Sequence, residues 1–487
     1  MLGFYLVLPH SSCIIFIKNT ERGVFLDQEK IKNPLGYKSI PSLLKGFAIP
    51  SIIAMLVSSL YNIVDQIFIG QGVGYRGNAA TNVAYPLTTI CLAIALLIGI
   101  GSASRFSLYL GAGEKEKAKK VIGNGICMMI VFSIIYTILA EIFMTPLLKT
   151  FGATPDIMPY AQTYSRIVAA GMPFLIITNG MSNLARADGS PKYSMTCMLI
   201  GAVINTILDP VFIFVFNLGV AGAAWATIIG QFFSFLFAVL YIWKFKNISL
   251  SAGDIRLSPG ECIQTASLGM TSSLNQIAIT FVQIVLNNSL TYYGALSVYG
   301  KEIPLAACGI VMKTNAILLA VIIGISQGSQ PIIGFNYGAG QYDRVRKTYK
   351  LAIMANLIVS AIGFILFQFF PYQIISLFGT GEPAYFEFSV RFMRIFLFMV
   401  IINGVQLLSS NFFAAIGKPV KGLILSMTRQ VLFLIPLVLI LPRFFGLDGI
   451  LFAGPAADSI AFIITVILIG IEMKKMKQEG TLKPENY

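Results

Sequence analysis

Long apolar runs alternate with short polar loops through almost the whole chain. Twelve of the runs reach the roughly 20 residues that a helix needs to cross the hydrocarbon of a bilayer. They fall near 43–69, 80–104, 121–147, 160–184, 194–216, 220–243, 266–290, 304–328, 349–371, 386–412, 420–442 and 446–472. None shows the period-2 alternation of a barrel strand. The pattern predicts an all-α integral membrane protein of about twelve transmembrane helices.

The loops between the runs are of two kinds. One set is basic: Arg105, Lys115, Lys117, Lys119 and Lys120; Arg186 and Lys192; Lys244, Lys246 and Arg256; Arg344, Arg346, Lys347 and Lys350; Lys418 and Lys421; and Lys474, Lys475 and Lys477. The alternate set holds only Arg76, Lys149, Lys301 and Arg443. By the positive-inside rule the first set is cytoplasmic, which makes the helix count even and puts both termini in the cytoplasm.

Composition agrees with a bilayer as solvent. The 487 residues are 56% hydrophobic and 11% charged, against roughly 25% charged in a soluble domain. The net charge of +14 does not point to nucleic acid, because the basic residues are spread over membrane loops. The longest of these, Lys244 to Glu261, is too short to hold a domain. Six scattered cysteines (Cys13, Cys91, Cys127, Cys197, Cys262, Cys308) read as small packing residues, neither disulfides nor metal ligands. The segment around His10 has no basic start and no cleavage site for a signal peptide, and the stretch to about residue 40 reads as a loose cytoplasmic extension.

The second half echoes the first at an offset of about 227 residues. Gly111-Ala112-Gly113 with a following basic run returns as Gly338-Ala339-Gly340, and Phe151-Gly152 as Phe378-Gly379. Gly189-x-Pro191-Lys192 has its counterpart in Gly417-Lys418-Pro419, and Gly219-x-x-Gly222-x-x-Trp225-Ala226 in Gly446-x-x-Gly449-x-x-Phe452-Ala453. Each half carries an even number of spans, so the two six-helix bundles are related by a pseudo-two-fold axis along the membrane normal, the plan of transporters that rock around a central site. The expected organisation is an extension (1–40), a first bundle (41–245), a cytoplasmic linker (246–262), a second bundle (263–473) and a cytoplasmic tail (474–487).

Ionisable residues inside a span are costly and mark candidate sites. Asp65 lies in the first span, on a polar stretch from Ser58 to Gln66. Asp209 lies late in the fifth, one turn after Asn205 and so on the same face. Pro210 frees a backbone carbonyl nearby. Asn179 and Thr227 add oxygens from the fourth and sixth spans. Two carboxylates among neutral oxygens suit a hard monovalent cation or a proton shared between acids.

The second half does not repeat the pair. The position 227 after Asp209 is Pro436, and the seventh span offers Asn275, Gln276, Gln283, Asn287 and Asn288 instead of an acid. Lys313, Arg429 and Asp458 are candidates for a second polar site, and Arg391 and Arg394 for snorkelling or ion pairing. Tyr61, Met172, Met181, Gln283 and Met312 are candidates for a substrate cleft, as polarisable or polar side chains on the spans, although such residues serve more often as packing. A phosphate-binding G-x-x-x-x-G-K-[ST] loop and an H-E-x-x-H pair are both absent and no G-x-S-x-G nucleophile elbow is expected, so the chain reads as neither an ATP-driven pump nor a metalloenzyme and carries no organic cofactor.

Three segments together resemble the multidrug and toxic compound extrusion (MATE) family, within its bacterial MepA-like branch. They are Pro50 with the stretch Leu60-Tyr61-Asn62-Ile63-Val64-Asp65-Gln66-Ile67-Phe68-Ile69-Gly70, the loops Gly111-Ala112-Gly113 and Asn336-Tyr337-Gly338-Ala339-Gly340, and Arg186-Ala187-Asp188-Gly189-Ser190-Pro191. The resemblance implies a V-shaped pair of bundles in a bacterial plasma membrane. Such a protein exports lipophilic cationic drugs, a route to antibiotic resistance, in exchange for inward H⁺ or Na⁺. It implies that Asp65, Asn205, Asp209 and Thr227, with Asn179, form the cation-coupling site, the only metal ion in question being Na⁺ there. The acids of a second ion site, found in the seventh and eighth spans of some members, have no counterpart here. Related flippases make a lipid-linked saccharide the alternative substrate, and a passive channel is disfavoured by the lack of a repeated selectivity loop. The expected state is a monomer that binds small molecules and lipid but no nucleic acid.

Overall fold

The computed structural model describes residues 33–378 and 382–482. His10, Cys13, Gly379 and the end of the tail lie outside them. Thirteen helices carry the fold. The first half has α1 (Ile40–Val73), α2 (Tyr75–Gly111), α3 (Lys115–Ile142), α4 (Met158–Ala187), α5 (Pro191–Pro210) and α6 (Gly219–Val239). The second has α7 (Pro259–Ala295), α8 (Glu302–Gly338), α9 (Tyr342–Phe369), α10 (Pro383–Phe396), α11 (Val400–Ala415), α12 (Pro419–Met427) and α13 (Leu447–Leu482). Eleven helical stretches can each span a membrane, and the broken pair α10 and α11 makes a twelfth. No strand occurs among the described residues.

The tenth span departs from the straight helix that its pattern predicts. Its two segments meet at an angle of 50°. Neither proline nor glycine lies at the break. A close approach by α13 does: a Cβ on Gly454 would stand 2.8 Å from the carbonyl of Phe396, the last residue of α10.

The repeat is visible in backbone detail. Gly113 and Gly340 close matching turns at φ 79° and 73°, a region that favours glycine. Short helices at Met144–Thr150 and Pro371–Ser376 follow the third span of each half. The fifth and eleventh spans both contain a π-helical stretch, Val211–Val215 beside Pro210 and Thr428–Leu434 beside Pro436, a widening often found at functional sites.

The halves meet at the end that carries the basic loops. There a Cβ on Gly269 would lie 1.8 Å from the carbonyl of Leu97, and one on Gly338 2.0 Å from that of Leu108, so only glycine lets α7 and α8 lie this close to α2. Gly324 and Gly328 bring α8 against Ile52 and Ala48 of α1. Hydrogen bonds across the halves cluster at this end, among them Arg105 to Glu261 and Gln264. Eleven residues before Gly324, on the same face of α8, Lys313 is exposed, and a Cβ on Gly309 would meet nothing within 4 Å. The helices have parted there, which leaves a cleft open towards the other end.

Two details of the sequence take on a different meaning. The end of the supposedly loose extension is fastened: Leu35 is buried, and its carbonyl accepts from Asn336 and Arg344, while Arg344 also binds the carbonyl of Lys38. Gly324-Ile325-Ser326-Gln327-Gly328 spells the G-x-S-x-G of a hydrolase elbow, but it lies inside a helix with Ser326 fully buried, not on a strand-to-helix turn.

Candidate functional site

A cavity of about 170 Å³ lies in the first half and opens on the cleft. Its wall is mixed: apolar surface from Leu92, Leu175, Met198 and Ala202 is interrupted by Ser58, Tyr61 and Asn62 from α1, Thr88 and Thr89 from α2, Thr178 and Asn179 from α4, Asn205 from α5, and Thr227 and Gln231 from α6. Gln276 of α7 is the contribution of the second half.

Asp65 and Asp209 stand side by side next to this wall, their carboxyls within hydrogen-bonding reach of one another. Asp209 is fully buried. The one-turn spacing of Asn205 and Asp209 does what helix geometry requires: Asn205 Nδ2 donates to Asp209 Oδ1 at 3.2 Å and to Thr227 Oγ1 at 3.3 Å. Asn179 spends its Nδ2 on the carbonyl of Leu175 at 2.9 Å, which leaves its Oδ1 as the side-chain acceptor.

The surplus here is of acceptors. Asp65 Oδ1, Asp209 Oδ2, Asn205 Oδ1 and Gln231 Oε1 are all buried without a donor. Two carboxylates in contact repel in a low dielectric, and a proton or a metal cation between them removes both the repulsion and the unpaired lone pairs. The unpaired acceptors are all oxygen, the ligand type that suits a proton or a hard cation rather than a soft metal.

The family model MatE matches residues 50–211 and again 272–440, one match in each half. The chain belongs to the MatE family. The multidrug export protein MepA of Staphylococcus aureus strain MRSA252 is 26% identical over 426 residues, 87% of this chain and 92% of MepA. The protein of the same name from Staphylococcus saprophyticus is 26% identical over 89% of this chain and 95% of its own. A crystal structure of MATE in complex with MaD3S superposes with a TM-score of 0.85 at 22% identity, covering 91% of this chain and 98% of that one. A MATE family transporter of the MOP superfamily described as outward-facing gives 0.84 at 22% identity, covering 92% and 98%. These structures establish the shared MatE fold.

Around the carboxyl pair the remaining candidates of this MatE chain fall as follows. Tyr61 lines the cavity and, with Tyr164, lies near both carboxyls. Met172 and Met181, read from the sequence as cleft residues, are 2% and 1% exposed and pack in the core of the first half, their flexible side chains filling gaps between helices. Met312 likewise packs against the core of the second half. Gln283 lies off the cavity and donates to Asn287 at 2.8 Å. Two contributors escaped the sequence reading. Gln231 was within reach, one turn after Thr227; Tyr164 carries no local signal.

The second half of this MatE chain is built differently. Arg429 binds Asp458 in a nearly buried ion pair, and Arg391 binds Asp448 at 2.5 Å. Lys313 is exposed on the cleft face of α8, so the expected trio of Lys313, Arg429 and Asp458 is an ion pair plus a separate lysine.

Proposed function

We propose that this MatE protein is a secondary antiporter that exports lipophilic organic cations from the cytoplasm in exchange for H⁺ or Na⁺ at Asp65 and Asp209. One observation carries the reading: a carboxyl pair with unpaired acceptor oxygens and no basic partner, beside a largely apolar cavity with polar groups on its wall that opens on a cleft between two duplicated halves. An anionic pair in low dielectric has to be neutralised from outside the protein. Either a coupling ion or a cationic substrate can do this, and competition for one negative site links the two fluxes. The name of the MepA relatives, multidrug export proteins, supports export of more than one compound; the preference for cations rests on the two acids.

With the basic loops in the cytoplasm, the contact between halves closes the inner side and the cleft faces outward. Rocking of one bundle on the other around this fixed site exposes it alternately. The acids favour cations over a lipid-linked saccharide, whose phosphates they would repel.

The test is efflux of a fluorescent lipophilic cation from proteoliposomes under an imposed H⁺ or Na⁺ gradient, for wild type, Asp65→Asn and Asp209→Asn. Export that follows one gradient and disappears in either variant supports the reading and names the ion. A wild type that moves no cation under either gradient sinks it and redirects the search to polar lipids.

A further inference from the structure

The closed end holds a charge that the carboxyl site does not use. Arg186, in the last turn of α4, is 4% exposed. Its Nη1 donates to Gln327 Oε1 of α8 at 2.8 Å and to Asn183 Oδ1 at 3.4 Å, and its Nη2 to Ser194 Oγ at 3.3 Å. All of these partners are neutral. No ionised group acts on the guanidinium, and Nε has no acceptor. Arginine does not give up its proton in proteins, so a full positive charge is buried here with neither counter-ion nor a complete set of hydrogen bonds, an arrangement that costs more than neutral acceptors return.

A second orphan lies beside it. Gln330 Nε2, about one turn after Gln327 on α8, is buried without an acceptor. Both side chains border one cavity of about 10 Å³, with Ser104 and Ser107 of α2 on its wall. That volume suits a single atom-sized occupant. The acceptor oxygens of Asn183 and Gln327, which also border it, are already turned to Nη1. What remains on the wall is the unpartnered Nε of a cation, the unpartnered amide N of Gln330, and two hydroxyls that can turn to donate. A water molecule would accept from the donors but leave the charge. A monatomic anion answers both.

We propose that this cavity binds one chloride-sized anion, which joins α2 and α4 of the first half to α8 of the second. Because its donors come from both halves, the site is whole only while the basic end is closed. The anion therefore stabilises that closed arrangement, a consequence that rests on the alternating-access reading; the binding itself does not.

Thermal unfolding of the purified full chain in detergent, at equal ionic strength in sodium chloride, sodium bromide or sodium gluconate, tests it. Chloride and bromide are expected to raise Tm saturably with concentration, whereas gluconate, too large for the cavity, does not. Gln330→Leu and Ser107→Ala are each expected to shrink the halide response, read for each variant as its own Tm difference between chloride and gluconate. The same Tm for wild type in all three salts overturns the proposal and leaves the cavity to water. So does a halide response that both variants retain in full, since the ion then binds elsewhere. The readout needs no transport, so its failure and that of the antiporter reading are separable.

Discussion

The two halves share one plan but place opposite chemistry at matched positions. Aligned on Gly219 and Gly446, Gln231 of α6 falls where α13 has Asp458. In the first half that position is neutral, and the acids stand on α1 and α5 with no base in contact. In the second half the acid on α13 is closed by Arg429 from the π-helical stretch of the eleventh span. An internal ion pair is neutral and needs nothing further. A bare carboxyl pair has to take its cation from the solution, and only such a site can be loaded and unloaded. On the proposed function, duplication followed by this divergence leaves the ion exchange to the first half and an internally neutralised pair in the second.

The sharpest way to break the comparison is to neutralise each acid in turn. Asp65→Asn or Asp209→Asn is expected to abolish gradient-driven efflux while leaving the fold intact and raising Tm, because removing one carboxyl relieves repulsion that the site otherwise stores. Efflux and thermal melting on the same preparations check this. A loss of folding in these variants would mean that the pair is structural, as in the other half.

Asp458→Asn should do the reverse. It leaves Arg429 buried without its partner, and breaking a buried pair in this way costs about 3–5 kcal/mol. The expected result is a much lower Tm with transport per folded molecule kept. Replacing both partners, Arg429→Met with Asp458→Leu, should recover most of the stability, since a pair replaced by apolar groups of similar volume is often neutral or better. Transport lost in the double variant would assign the second half an ion-handling role.

A smaller effect separates closure from chemistry. Gly269→Ala places a methyl 1.8 Å from the carbonyl of Leu97, which neither helix backbone can yield without moving. Overpacking costs about 1–3 kcal/mol, and here it falls on the closed arrangement alone. Spin labels at the basic end should report a wider separation of α2 and α7, and turnover should fall, with the carboxyl site still able to bind its cation. Unchanged distances would show that the contact does not hold that end shut.

The twelve spans and the repeat were legible because a bilayer demands long apolar helices, and because turn glycines such as Gly113 and Gly340 are fixed by backbone geometry. Asn205 and Asp209 were legible as a pair because one helical turn joins them. What could not be read was distance between helices. Nothing in the sequence places Tyr164 beside Asp65, or sends Met172 and Met181 into the core while Tyr61 reaches the cavity, since each depends on how neighbouring helices rotate. The break after Phe396 was hidden for the same reason: its visible correlate is Gly454 on another span, far along the chain.

The linker between the halves gives the mildest test, because it too is unequal in its attachments. It lies on the first half: a Cβ on Gly123 of α3 would meet the carbonyl of Asp254 at 2.0 Å, and Asn124 accepts from the backbone N–H of Ser258 at 2.8 Å. Asp254 fastens it, accepting from the Ser251 hydroxyl at 2.6 Å, the Ser251 N–H at 2.8 Å and Lys119 Nζ at 3.0 Å. These bonds, the Ser251 hydroxyl first, hold its carboxyl down to about 2, below the ordinary 3.8. A carboxyl held low in the folded chain stabilises it above the ordinary value, and that contribution is lost as pH falls from there through the folded value. Protection of the Ser251 amide from hydrogen exchange, corrected for the intrinsic rate, should therefore hold at neutral pH and decline as pH falls from 3.8 through about 2. Asp254→Asn should show the reduced protection already at neutral pH, with little change in Tm, because exposed charged contacts contribute little to global stability. Equal protection in variant and wild type at neutral pH would leave the packing of Gly123 and Asn124, without the carboxylate, as what ties the linker to the first half.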